Sequence, residues 1–223
     1  MRFKIAPVKI ALGLTLTCFA FAEDSAQKPQ ILQKALAGLS NQAPSLHPEL
    51  EAEIVAMVEE DQAIRDKILD FTKLSQEEKT TLNETRAKHN FRIKEIIATH
   101  GWPGIHLVGL NGSGGFWLIV QHQDQDLEFQ KQCLPLLKEA VDRQDAQMRD
   151  YAYLLDRVRL NEKLPQVYGT QFKFKEGKCY LHPIEDRENL EQRRLEAGLM
   201  PFESYIRGMK TFYRISDEDL VIN

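Results

Sequence analysis

His122 follows Gln121 at the end of the apolar run 116–120, and its ring is the first group to suggest chemistry. An imidazole titrates near neutral pH, so His122 could act as a general acid and base. Asp156 and Arg157 sit inside the half-apolar stretch 151–160. The Asp156 carboxylate could orient His122, and the Arg157 guanidinium could clamp a carboxylate or phosphate. Tyr168-Gly169-Thr170-Gln171 opens a strand-like segment, where Tyr168 could join Arg157 in stabilising developing negative charge. Gln121, Gln166 and Gln171 add amides that both donate and accept, which suits recognition of a polar ligand. Polar groups this close to apolar surface must find partners or lose stability. Convergence of these segments would build one polar pocket. Its chemistry would be metal-independent hydrolysis or group transfer on a small polar or envelope-derived substrate.

The same residues also fit a quieter role. A buried His122 can be satisfied by a backbone carbonyl. Asp156 and Arg157 are helix neighbours that point in different directions, so each would bond a separate partner. Gln166 and Gln171 could simply hold a hairpin against helices, and Trp102, which could offer a ligand a stacking platform in the binding site, reads here as a core or turn anchor. On this alternative the chain is a ligand-binding or protein-interaction domain whose polar motifs lock the fold.

Other chemistry finds little support. His122 and Asp124 are one candidate ligand pair, and His100, His106 and His182 are further imidazoles, but no H-E-x-x-H or paired C-x-x-C occurs. We therefore expect neither metal nor cofactor. Gly109, Gly112, Gly114 and Gly115 match neither G-x-G-x-x-G nor a P-loop, and read as a tight turn with close helix packing. Cys133 lies in a helix interior with no adjacent base, which argues against a nucleophilic thiol.

Targeting residues set the compartment. Arg2, Lys4 and Lys9 precede an apolar run over 10–21, and Ala20-Phe21-Ala22 is a small-residue cleavage site. Residues 1–22 thus read as a signal peptide, giving a periplasmic or secreted product with no membrane span after cleavage. The 223-residue chain carries a net charge of −4, and the signal holds three basic residues and no acidic ones, so the remainder is more acidic still. An acidic chain without a basic block is a poor partner for nucleic acid. Oligomeric state is not legible. Cleavage would remove Cys18 and leave Cys133 and Cys179. In an oxidising compartment these two either pair, worth about 4 kcal/mol on a chain-entropy argument, or stay apart as buried thiols.

The elements that must position these residues are mainly helical. Residues 23–44 read as a loose segment with a short helix over 31–39, and 45–223 as one compact helical domain with a small C-terminal β-hairpin near 166–184. Leu50, Ile54, Met57, Ile64, Ile68 and Phe71 form a helical stripe behind Pro48. Glu59, Glu60, Asp61, Lys79 and Arg86 read as a solvated face. Ser75 with Glu78 forms a capping box for a helix with Leu82, Ile93, Ile96 and Ile97 inward, which Gly101 stops. Helices follow over about 116–123, from Asp124 or Asp126 to 140, and over 146–160. The last has Tyr151, Leu154, Leu155 and Val158 as its inner stripe. The hairpin turns at Glu176-Gly177, and a helical tail contains 188–196, Tyr205 and Phe212.

Gly101-Trp102-Pro103, Gln121-His122, Asp156-Arg157, Gln166, Tyr168-Gly169-Thr170-Gln171, Arg193-Arg194 and Gly198-Leu199-Met200-Pro201 occur in this order. Together they resemble a bacterial family of unknown function with GWP, QH, DR and YGTQ motifs. The resemblance implies a compact, mostly helical domain over roughly residues 50–205 and carries no activity. It points to Trp102, Gln121, His122, Asp156, Arg157, Gln166, Tyr168 and Gln171. Neither cysteine falls in these motifs.

Overall fold

A computed structural model describes residues 45–67, 74–175 and 178–222. The expected signal peptide, the segment 23–44 with its short helix, Ile68, Phe71 and the Glu176-Gly177 turn lie outside the described residues. The described chain is mainly helical, with a small three-stranded sheet near the C-terminus. It falls into two compact units, one ending at His122 and the other starting at Gln123.

The first unit contains α1 (Pro48–Lys67), α2 (Gln76–His100) and α3 (Ile105–Gln121). Leu50, Ile54 and Met57 of α1 are buried as their spacing requires. α2 starts at the expected capping box: Ser75 Oγ accepts from the Glu78 N–H at 3.2 Å, and the Glu78 carboxylate accepts from the Ser75 N–H at 2.7 Å. It ends at Gly101, whose φ of 68° is open to glycine at no steric cost. α1 and α2 are tied by the Arg92 fork on Glu53, at 2.5 and 2.9 Å, and by Glu60, which meets both Lys88 and the buried ring of His89. Glu59 and Lys79 are exposed as expected; Asp61 is not.

The glycine cluster corrects the expected turn. α3 begins at Ile105, kinks at Val108 and Gly109, and continues through Gly112, Gly114 and Gly115 to Gln121. Glycine is costly inside a helix, and here its lack of a side chain allows close approach. A Cβ on Gly115 would lie 3.0 Å from Val58 Cγ2 and 3.2 Å from Ile54 Cγ2, so α3 packs directly on the α1 stripe. A Cβ on Gly109 would lie 2.7 Å from Glu51 Oε1, so a protein carboxylate sits where a phosphate cradle would need space.

The second unit contains α4 (Leu127–Asp142), α5 (Met148–Asn161), β1 (Phe172–Lys175), β2 (Lys178–Leu181), a 3-10 turn (Arg187–Asn189), α6 (Leu190–Glu196), α7 (Phe202–Tyr213) and β3 (Leu220–Ile222). Asp126 caps α4 by accepting from the Phe129 N–H at 3.2 Å. On α5, Leu154 and Val158 are buried as expected, but Tyr151 and Leu155 are only half-buried. Ala152 and Asp156 take inner positions instead. β1 and β2 form the hairpin in antiparallel register, Phe172 opposite Leu181. Its ladder is shorter than 166–184, and Gln166 meets Ile184 only through an isolated bridge. β3, unforeseen in a tail read as helical, adds in parallel to β2 with Cys179 opposite Leu220. Leu181, Leu190 and Phe202 form a core with Phe172, Ile184 and Ile206 around it.

Of the two arrangements open to the cysteines, the chain takes the one without a bridge. No disulfide joins Cys133 of α4 to Cys179 of β2, and both thiols are buried. The Cys179 sulfur instead packs 3.9 Å from Met209 Sδ, and burial pushes its pKa up to about 11. A protonated, enclosed thiol is inert towards exchange. Unfolding without reductant should therefore let both Cys133 and Cys179 alkylate, read by peptide mass mapping, and reductant should leave the melting temperature unchanged.

Candidate functional site

His122 is the C-cap of α3, and its backbone N–H bonds back to Leu118 and Ile119 carbonyls. This fixes the ring's root at the end of a buried apolar helix. Its Nδ1 lies 2.7 Å from Asp61 Oδ2. Asp61 was expected on a solvated face, yet its side chain is 3% exposed. The same oxygen accepts from Arg65 Nε at 2.8 Å and Gln62 Nε2 at 2.9 Å. Burial works to raise the Asp61 carboxyl. The hydrogen bond and charge of His122, joined by Arg65, outweigh it and hold the group at about 2. Asp61 is thus a carboxylate at neutral pH, and Nδ1 of His122 donates to it. That bond fixes the tautomer, so Nε2 is the nitrogen that could take up or release a proton.

A legible signal pointed to Asp61. Leu50, Ile54 and Met57 advance by four and three residues, and the next step of four lands on Asp61, so this carboxylate occupies a stripe position. Reading the acidic run 59–61 as one face concealed it.

The Asp156 carboxylate is engaged within its own unit. With no exposed surface, it accepts from the N–H groups of Val167 at 2.6 Å, Tyr168 at 3.1 Å and Thr170 at 3.0 Å, and from the Thr170 hydroxyl at 2.9 Å. Burial holds this carboxyl above the usual range, and the loop's donors offset only part of that rise. The oxygens are filled by donors from one loop, so the geometry describes an anchor. Gln166 braces the same loop: its side-chain oxygen accepts from the Gln171 N–H at 2.8 Å, and its amide donates to the Gln171 and His182 carbonyls. The Gln171 amide donates to Thr170 Oγ1 at 3.0 Å.

The loop's carbonyls are held from α6 and α7. Arg194, 1% exposed, donates to the Tyr168 carbonyl at 2.6 Å and the Met200 carbonyl at 2.9 Å. Its guanidinium stacks over the Phe202 and Tyr205 rings. Arg193 donates to the Val167 and Glu185 carbonyls, and the Tyr205 hydroxyl to the Thr170 carbonyl at 2.8 Å. Sequence reasoning gave these residues no role in the site. Tyr168 is half-buried, and burial, helped by Tyr151 and Asp156, pushes its phenol up, so it stays protonated.

The sequence-predicted residues therefore divide. Gln121 and His122 belong to the first unit, as does Trp102, a buried ring set edge-on against Phe116 at 5.2 Å, a core anchor. Asp156, Arg157, Gln166, Tyr168 and Gln171 belong to the second, where Asp156, Gln166 and Gln171 are joined through the loop itself. Arg157 meets Asp124 Oδ2 at 3.4 Å instead. Among the described residues, no group of three His, Cys, Asp or Glu side chains is arranged to hold a metal ion. No described helix is long and apolar enough to cross a membrane.

These features define a mainly helical protein with a carboxylate-anchored histidine and a loop locked by a buried aspartate and arginine. The chain belongs to the family of unknown function DUF6624, which matches residues 48–217 and so spans both units. No curated protein and no solved structure matches it.

Proposed function

We propose that this chain is an exported hydrolase or transferase in which His122 moves the proton and Asp61 holds its ring. The observation that carries this reading is the 2.7 Å Nδ1–Oδ2 bond to a carboxylate that Arg65 and Gln62 also restrain. A histidine held by a buried carboxylate keeps one tautomer and gains stability as an imidazolium, which is what an acid–base group requires. The substrate class is small and polar or envelope-derived. Export rests on the basic, apolar and small-residue segments within 1–22, and the GWP, QH, DR and YGTQ segments form the shared signature.

A second reading, a ligand-binding or interaction domain with fold-locking motifs, is supported by the filled oxygens of Asp156. The two readings separate on His122. The full chain should be assayed on chromogenic esters, amides, glycosides and phosphoesters beside His122→Gln and Asp61→Asn. We expect turnover to fall about 100- to 10,000-fold in His122→Gln, with the fold retained. Asp61→Asn should lower turnover and shift the pH profile as well. A His122→Gln protein with wild-type stability and turnover would refute the proposal, and a wild type inert on every substrate would favour the binding reading.

A further inference from the structure

Arg157 leaves most of its donors unused among the described residues, unlike Arg159, Arg193 and Arg194. Arg193 and Arg194 spend their donors on the 167–169 loop and its neighbours, and Arg159 bonds the Pro165 carbonyl and Glu185. A guanidinium carries five N–H donors. Among the described residues, Arg157 uses one of them, through Nη1 to Asp124 at a long 3.4 Å, and its buried Nε has no partner.

The sheet brings further cationic groups to the same place. Lys173 lies opposite Tyr180 in the β1–β2 register, and His182 follows two residues later on the same face. The side chain of Gln171, two residues before Lys173, reaches the Tyr153 carbonyl of α5 at 3.5 Å. That contact sets α5 against this end of the sheet, and Arg157 is one helical turn beyond Tyr153. His182 is half-buried here; burial, then the charges of Lys173 and Arg157, hold its pKa below the usual value. Lys173 is exposed, and neither it nor His182 has a side-chain acceptor among the described residues. Lys178 adds another exposed ammonium to this face. Like charges gathered on a small sheet destabilise it, and this gathering occurs in a chain of net charge −4.

We propose that Arg157, Lys173 and His182 form a binding site for a phosphate group, borne by a phosphomonoester or present as inorganic phosphate. A planar fork, a rotating ammonium and an imidazole N–H offer donors in three directions. These suit the oxygens of a tetrahedral dianion better than the two coplanar oxygens of a carboxylate. Asp124 orients the guanidinium from one side through Nη1. Tyr180, beside Lys173, supplies a ring against which the organic part of an ester can pack. The site does not depend on the reading of His122.

The test uses the full chain and the His182 ring signals in NMR, assigned with His182→Gln. Inorganic phosphate and phenyl phosphate are titrated separately at constant ionic strength, with chloride as control. We expect saturable shifts and a rise in the His182 pKa, because a bound anion favours the imidazolium. Arg157→Gln and Lys173→Gln should each weaken binding about tenfold or more. Lys131→Gln on α4, where Lys131 already pairs with Glu162, should leave it unchanged. Tighter binding of phenyl phosphate identifies a phosphomonoester site; equal binding identifies phosphate itself. Shifts no larger than chloride produces, or equal affinity in Lys173→Gln, whose exposed position spares the fold, would overturn the proposal.

Discussion

Asp156→Ala is expected to cost about 3–5 kcal/mol of folding stability, a large share of the roughly 5–15 kcal/mol that holds a domain together. The substitution leaves the N–H groups of Val167, Tyr168 and Thr170 and the Thr170 hydroxyl without their acceptor. A buried donor stripped of its partner pays its full desolvation cost, which exceeds the net value of the bond when made. It also leaves the buried Arg194, whose charge Asp156 partly balances, in a less favourable field. Asp156→Asn should recover little, because an amide nitrogen would face a loop N–H at one of the two positions. Urea denaturation should show a lower midpoint at unchanged slope. A loss below about 1 kcal/mol would mean that Asp156 is not the loop's anchor.

The Asp61–His122 pair should appear as a pH dependence of stability. The Asp61 carboxyl sits at about 2 in the folded chain against an ordinary value of 3.8. A group whose folded pKa is depressed adds stability that is complete above its unfolded pKa and is lost as pH falls through the folded one. Between pH 5 and pH 2 the wild type should therefore lose about 2 kcal/mol through this group. Glu53, Glu60 and Glu78 are also held below the usual range by Arg92, by Lys88 and by Ser75 respectively, so the whole molecule will lose more. The difference between wild type and Asp61→Asn isolates the Asp61 part. That difference should be largest at pH 5 and shrink towards pH 2. Parallel curves would show that Asp61 carries no depressed pKa, and the orienting role given to it would fall with them.

Much of the fold was legible because its signals are local. The Ser75–Glu78 box, the Gly101 stop and the stripe at Leu50, Ile54 and Met57 each involve residues within a turn or two of one another. Such patterns follow from helix geometry and need no knowledge of the rest of the chain. The glycine cluster was half legible. Close packing followed from residue size, but whether the backbone turned or stayed helical depended on Ile54 and Val58 of α1. β3 escaped because three residues that pair with β2 only after a long excursion leave no periodicity to read.

The candidate site divides along the same line. Composition and spacing alone identified His122, Asp156 and the 168–171 loop as places where polar groups need partners, since burial beside apolar residues makes that demand wherever the chain runs. Which partners meet it was settled by folding. Asp61 reaches His122 across 61 positions of sequence, and Arg194 reaches Tyr168 across 26. Over such separations, pairing depends on how helices approach, where one ångström decides whether a hydrogen bond exists. The two buried cysteines follow the same logic: their number invited a bridge, and the packing of Cys179 against Met209 leaves its thiol protonated and unbridged.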